Sequence, residues 1–221
     1  MKPTEASLET GARILDSALE LFRQEGFEAA TMRAIAAKAG VATGAAYYYY
    51  PSKEAIVMAF YRRSCDEMQA GIQQALQDIS GLENLLYELI WAKIKYFKPN
   101  REVLRALLRN GADPRHPLSP FSSETKEIRE IDIAWFQQIL TISAVRIPRD
   151  LSPHMPEVLW LFQMGIIFFW VTDDSAAQAR TARLLKLAVR IVARLVQMSA
   201  LPFMRPVRKT VVELIEIVKG D

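Results

Sequence analysis

Four phenols stand in a row at Tyr47, Tyr48, Tyr49 and Tyr50, inside the stretch GVATGAAYYYYPSKEA of residues 40–55. A phenol can donate to a phosphate, hydrogen-bond a base edge or lie against a thymine methyl. Other residues suited to chemistry are sparse. His116 and His154 both lie in proline-rich loops, where a solvated side chain is a simpler reading than a metal ligand or general base. The acidic pairs Glu124/Glu127 and Asp173/Asp174 have the placement of helix-start charges, which the helix dipole favours. Cys65 is the single cysteine, which rules out an intrachain disulfide and a cysteine-rich zinc site and fits a reducing cytosol. The nine glycines form no G-x-G-x-x-G, no P-loop and no G-x-S-x-G. These residues predict a protein that is not an enzyme and needs neither cofactor nor metal.

The phenols need an element to aim them. The stretch MRAIAAKA after Thr31 reads as a short helix capped by that threonine and stopped at Gly40. The tyrosine segment follows it as a second short helix ending before Pro51, so AGVA is the turn of a helix-turn-helix. With 100° between successive residues, Ala46 and Tyr50 form the inward pair. Tyr48 then points away from the core beside Gly44 and Ala45, with Tyr47 and Tyr49 at the edges. That outward face is small near its start, so the backbone can approach a major groove closely. The flanking phenols would reach phosphates, and Lys53 adds a charge at the start of the next helix. The opposing interpretation buries the aromatics against a neighbouring helix. Residues 1–63 carry eight Lys/Arg and seven Asp/Glu, a net of +1, so no strong basic patch supports DNA binding here.

The segment ILDSALELFRQEGFEAATMRAIAAKAGVATGAAYYYYPSKEAI, residues 14–56, resembles the N-terminal domain of TetR-family transcriptional regulators. It repeats that family's LF…GF…T…IA…AGV…G…Y…K run in one register. The resemblance implies that Arg33 and the residues Thr43, Gly44, Ala45, Ala46, Tyr47, Tyr48 and Tyr49 face DNA. It also implies that Thr31 and Lys53 meet phosphates, and that Phe22, Phe27, Ile35 and Val41 build the small core. The chain departs from the pattern twice. Ala42 stands where the family often has a capping residue, so Thr43 is expected to cap and shift the helix start by one. Ala46 stands where a bulky aliphatic is usual, and Tyr50 in place of the common Phe is expected to fill the space.

The rest of the chain is predicted to be helical, with no strand pattern and no internal repeat, giving an all-α fold. Predicted spans are 8–25, 53–78, 82–97, 101–109, 123–145, 156–171, 175–199 and 206–219, broken at Gly81, Pro99 and the loop NGADPRHPLSP. Hydrophobic residues make up 51%, enough for a sizeable core. The net charge of +3 permits an acidic partner without demanding one. MKPTEASLETGAR lacks the apolar run of a signal peptide. The most apolar stretch, 158–171, would span about 21 Å as a helix, against roughly 30 Å of bilayer hydrocarbon, so no membrane role is expected.

Residues 175–199 carry two apolar stripes. One is Leu184, Leu187, Ile191, Leu195 and Met198; the other is Leu185, Val189, Val192 and Val196. Two stripes suggest one face for the core and one for a partner, although central helices of a monomer would look alike. In the resembling family the last two large helices pair across a two-fold dimer. On that basis the interface is expected at Phe169, Leu185, Val189, Val192 and Val196, with Gly165 allowing close approach. The family resemblance also implies a ligand cavity among the middle helices. Its expected lining is Tyr87, Trp91, Trp135, Phe136, Phe162, Gln163 and Trp170, suited to a small apolar or aromatic effector. The expected organisation is a helix-turn-helix domain at 8–52, an effector-binding and dimerisation domain at 53–200 and an extra helix at 201–221. Its Val211, Val212, Leu214, Ile215 and Val218 need cover. The expected function is a cytoplasmic, ligand-responsive repressor that binds a palindromic duplex operator as a homodimer. The alternative is a helical small-molecule-binding or adaptor protein that does not bind DNA.

Overall fold

The computed structural model describes residues 4–109 and 113–219, without the side chains of Arg109, Val218 and Lys219. Part of the NGADPRHPLSP loop and the expected role of Val218 therefore lie outside the described residues. Among the described residues the regular elements are all helical. They are α1 (Glu5–Glu25), α2 (Met32–Lys38), α3 (Thr43–Tyr49), α4 (Lys53–Leu76) and α5 (Leu82–Phe97), then α6 (Arg101–Arg109), α7 (Lys126–Ile142), α8 (Met155–Thr172), α9 (Ala179–Met198) and α10 (Arg205–Lys219). Helix α1 begins three residues before the expected Leu8, because the Thr4 side chain accepts from the Ser7 N–H and caps it. Helices α5 and α6 fall on their expected spans, where Gly81 and Pro99 punctuate the chain.

The chain forms two compact units, one of residues 1–68 and 97–129, the other of residues 69–96 and 130–221. The first is built on one apolar cluster. Ile14, Ala18 and Phe22 of α1 meet Ile35 and Ala36 of α2, Ala46 of α3 and Ile56 and Phe60 of α4, joined by Val103 and Leu107 of α6. Each large side chain buried in this way stabilises by about 1.5–3 kcal/mol relative to exposure. Phe22 and Phe27 meet edge-on with centroids 5.1 Å apart. Arg63 pairs with Asp16 at 2.7 Å, tying α4 to α1.

In the second unit the core is Leu85, Leu86, Leu89 and Ile90 of α5, Phe136 and Ile139 of α7, Leu159, Trp160 and Trp170 of α8, and Leu185, Val189, Ala193 and Val196 of α9. All four tryptophans, at 91, 135, 160 and 170, belong to this unit. Asp173 locks the α8–α9 connection. It accepts from the Ser175 N–H at 3.0 Å, the Thr181 N–H at 2.8 Å and the Thr181 hydroxyl at 2.6 Å. Burial pushes its carboxyl up, but these bonds outweigh burial and hold it well below the usual carboxylate range. The connection carries Ala177 and Gln178 at φ 53° and 55°, a left-handed turn that these bonds hold in place.

Two expectations about this unit are corrected. Helix α8 extends to 18 residues, long and apolar enough to cross a bilayer by length and composition, yet half of it is buried within the protein. Its Gly165 is exposed, and a Cβ there would meet nothing within 4 Å, so no close approach within the chain requires it. On α9 the stripe expected at the interface is the inner one: Leu185, Val189 and Val196 are buried and Val192 is half-buried. The outward row is the other stripe, with Leu187 47%, Ile191 59%, Leu195 54% and Met198 41% exposed. The small and β-branched inner residues, Val189, Ala193 and Val196, allow close packing that the longer outer side chains would not. Phe169 is half-buried, its ring 5.7 Å from the Arg180 guanidinium. On α8 the exposed Val158, Leu161 and Gly165 share the side of the half-buried Phe168 and Phe169.

Candidate DNA interface

Helix α2 is framed by its two ends. The Thr31 hydroxyl accepts from the Ala34 N–H at 3.1 Å. At the other end Gly40 takes φ 66°, its N–H bonds Ala37 O at 3.1 Å, and the Val41 N–H reaches back to Ala36 O at 3.0 Å. This paired closure needs a residue free to enter the left-handed region, and glycine does so without a Cβ penalty. It turns the chain sharply into α3, and Val41 packs on the shared core.

Helix α3 starts at Thr43 with Ala42 as its N-cap and no side-chain cap, so Thr43 does not take over the capping role expected of it. Ala46 is fully buried. Thr43 and Gly44 are exposed, and Ala45 is half-buried. The four phenols then separate. Tyr48 is 84% exposed and Tyr47 50%. Tyr49 turns back: it packs on the core, meets Tyr48 edge-on at 5.4 Å, and its hydroxyl donates to Ser7 Oγ at 3.2 Å. The edge position expected of Tyr49 is thus taken up by α1 rather than turned outward. Tyr50 lies just past the helix end, half-buried, its hydroxyl donating to Gly11 O at 3.1 Å. A Cβ at Gly11 would stand 3.5 Å from the Tyr49 ring and 3.6 Å from the Tyr50 oxygen, so both phenols rest on α1 where it has no side chain. Burial is the main influence raising the Tyr50 phenol above its ordinary value.

Arg33 is exposed on α2. Lys53 is not turned outward as expected. Its ammonium donates to Phe27 O at 2.7 Å and Glu28 O at 3.2 Å, and lies 4.7 Å from the Phe27 ring centre. It satisfies the carbonyls that follow α1, a role invisible in the spacing of the motif. The outward surface therefore combines Thr31, Arg33, Thr43, Gly44, Tyr47 and Tyr48.

The residues expected to line an effector site all fall in the second unit. Phe136, Gln163 and Trp170 are fully or almost fully buried and Trp135 is 8% exposed, while Tyr87, Trp91 and Phe162 are half-buried. Tyr87 and Trp91 stack with centroids 6.1 Å apart. Gln137 and Gln138, which directly follow Trp135 and Phe136 in the chain, are exposed. One polar group was missed: Lys93, 2% exposed on α5. Its signal was legible, since it lies three and four residues after Ile90 and Leu89 on the apolar side of the helix.

Residues 85–214 match the family model described as tetracyclin repressor-like, C-terminal domain, and residues 14–60 match that of bacterial regulatory proteins, tetR family. The chain belongs to the TetR family. TetR-family proteins are transcriptional regulators rather than enzymes, and they bind operator DNA as dimers that respond to small molecules. Among curated relatives, the HTH-type transcriptional repressor KstR of Mycobacterium tuberculosis is 26% identical over 190 residues, covering 86% of this chain and 83% of that protein. KstR of Mycolicibacterium smegmatis is 38% identical over 72 residues, covering 33% of this chain and 35% of its own. The chain spans 41% of the length of Escherichia coli UidR. Among solved structures, the TetR regulator from Nitrosomonas europaea superposes with a TM-score of 0.64 at 20% identity, covering 83% of this chain and 97% of that one. FadR from Bacillus subtilis, in complex with stearoyl-CoA, superposes at 0.61 with 15% identity, covering 82% and 97%. These likenesses agree with the all-α fold of a helix-turn-helix domain followed by a larger helical region.

Proposed function

We propose that this TetR-family chain is a cytoplasmic, homodimeric repressor that reads a palindromic duplex operator through α3 and is released by a small, largely apolar effector. The observation that carries the DNA reading is the exposure of Tyr48 at 84% beside Thr43 and Gly44, on a helix whose remaining contacts are inward. Apart from its edge-on contact with Tyr49, the ring adds little to packing, and major-groove recognition gives the exposed phenol a role. Thr31, Arg33 and Tyr47 flank it as phosphate contacts, while Ala45 lies at its margin. Tyr49 supports the helix from behind. Lys53 acts indirectly, by fixing the loop that precedes α2.

The partner face is the outward row Leu187, Ile191, Leu195 and Met198 on α9, with Val158 and Leu161 on α8. Its apolarity is what a two-fold interface of at least about 1,200 Å² would cover. The effector is held by the aromatic residues of α5, α7 and α8, namely Tyr87, Trp91, Trp135, Phe136, Phe162 and Trp170, with Gln163. Helix α4 carries the signal, since it contributes residues to both units. An effector that prefers the DNA-incompetent arrangement a hundredfold supplies roughly 2.7 kcal/mol of coupling, and operator must weaken effector binding equally.

Selection from random duplex DNA tests this reading. A palindrome with half-sites about one helical turn apart, bound with steep salt dependence, is the expected result. Recovery of no enriched sequence, with binding insensitive to salt, would refute it.

A further inference from the structure

Three helices of the second unit meet at a closed polar ring. The Lys93 ammonium on α5 donates to Asp132 of α7 and to Gln163 Oε1 of α8 at 2.6 Å. The Gln163 amide closes the ring by donating to the second oxygen of Asp132 at 2.8 Å. Lys93 lies 4.6 Å and 5.0 Å from the Trp135 and Phe136 ring centres. An ion pair in such surroundings is rarely there for stability, because apolar replacements of similar volume often serve as well or better.

The ring is also asymmetric. The lysine side chain is 3% exposed, whereas that of Asp132 is 17% exposed. Lys93 therefore requires an anion at all times, while Asp132 can return to water at modest cost. Asp132 presents its two carboxylate oxygens to an ammonium and an amide N–H, which is how any carboxylate would sit in this clasp. We propose that Lys93 and Gln163 form the head-group site for a small apolar molecule bearing a carboxylate, and that Asp132 is an internal carboxylate occupying the site until that molecule displaces it.

The exchange keeps the buried ammonium neutralised throughout. A cationic ligand drawn to Asp132 would instead compete with Lys93 for that carboxylate, and a neutral ligand has nothing to trade. The apolar body of the acid would lie against the aromatic side chains of α5, α7 and α8. Displacement removes the polar tie of α7 to α5 and α8, which is the route by which occupancy would shift that helix. This inference rests on the reading of the second unit as the effector-binding part.

Calorimetry on the full-length protein tests it with 4-phenylbutyrate and decanoate, each against the matched alcohol and amine. The wild type is expected to bind the acids about tenfold or more tighter than the alcohols, with the amines weakest. Asp132→Asn removes the internal competitor, so acid affinity should rise about tenfold or more while alcohol affinity stays within about twofold. Lys93→Met should abolish the preference for acids. A purely structural ion pair predicts no gain in acid affinity for Asp132→Asn; a lower melting temperature is expected on either reading, because Lys93 loses its carboxylate. Acids binding no tighter than alcohols in the wild type overturn the proposal without reference to any variant, as does a preference for amines. Operator titrations run alongside separate the two ideas. If acids bind as expected but leave operator affinity unchanged, the head-group site stands and induction falls. If an alcohol loosens the operator and acids show no advantage, induction stands and the head-group site falls.

Discussion

Truncating Tyr48 and Tyr50 separately should divide recognition from stability within three residues of chain. At 84% exposure Tyr48 buries less than a fifth of its surface. A tyrosine buries about 150–250 Å² when fully enclosed, so Tyr48→Ala forfeits about 0.6–1 kcal/mol of folding energy at roughly 25 cal/mol per Å². It removes a groove contact of about 1–3 kcal/mol per half-site, or roughly 5- to 150-fold in affinity. Tyr50 is half-buried and hydrogen-bonded to Gly11 O. Losing about 100 Å² of cover is about 2.5 kcal/mol, and the hydroxyl adds about 1 kcal/mol, so Tyr50→Ala should destabilise by about 3–3.5 kcal/mol. Tyr50→Phe isolates the hydroxyl share. Urea melts followed by tyrosine emission and circular dichroism give stability, and titrations of labelled operator give affinity per folded molecule. An early-melting Tyr48→Ala with wild-type affinity would reverse the two assignments.

Further substitutions probe the other elements. Leu195→Glu puts a charge on the outward face of α9 and should yield a folded monomer by sedimentation, whereas Val196→Glu, aimed into the core, should unfold the unit; a dimeric Leu195→Glu would exclude this face as the interface. Lys53→Met should cost about 1–3 kcal/mol through its lost charged hydrogen bonds and leave the salt slope of DNA binding unchanged; an unaltered melt with a slope reduced by about one contact would return Lys53 to the phosphates. Asp173→Asn should lower the melting temperature at neutral pH. The folded carboxyl is depressed, so its contribution is present above the ordinary carboxylate value and lost as pH falls through the folded one; the acid side of the stability curve should be flatter in the variant, and parallel curves would deny Asp173 this role.

The elements were legible wherever punctuation was local. Gly81, Pro99 and Gly40 each mark a boundary that backbone geometry enforces, and α5, α6 and the turn into α3 follow. Family membership was likewise readable, because residues 14–56 hold many agreeing positions in one register. What sequence could not give were contacts set by distant chain. The wheel correctly turned Tyr48 outward and Ala46 inward, but Tyr49 is decided by Ser7 and by the missing side chain at Gly11, some forty residues away. Lys53 looked like a phosphate ligand because its motif position suggests one, yet the carbonyls of Phe27 and Glu28 claim it. On α9 the two stripes are equally apolar in sequence, and only the packing of Leu185, Val189 and Val196 reveals which faces inward.

The placement of the indoles has an optical consequence. With Trp91, Trp135, Trp160 and Trp170 all in the second unit, tryptophan emission is blind to the first, whose aromatic signal comes from phenols such as Tyr47–Tyr50. Five of the seven phenols lie in the first unit and two, Tyr87 and Tyr96, in the second, so without any label indole emission reports the second unit alone and phenol emission chiefly the first. A denaturation curve recorded on tryptophan alone would report the melting of the effector-binding part as though it were that of the whole chain. Superposition of the indole and phenol transitions would mean that the two units unfold as one cooperative body, and their separation would expose a state in which one unit has melted and the other has not.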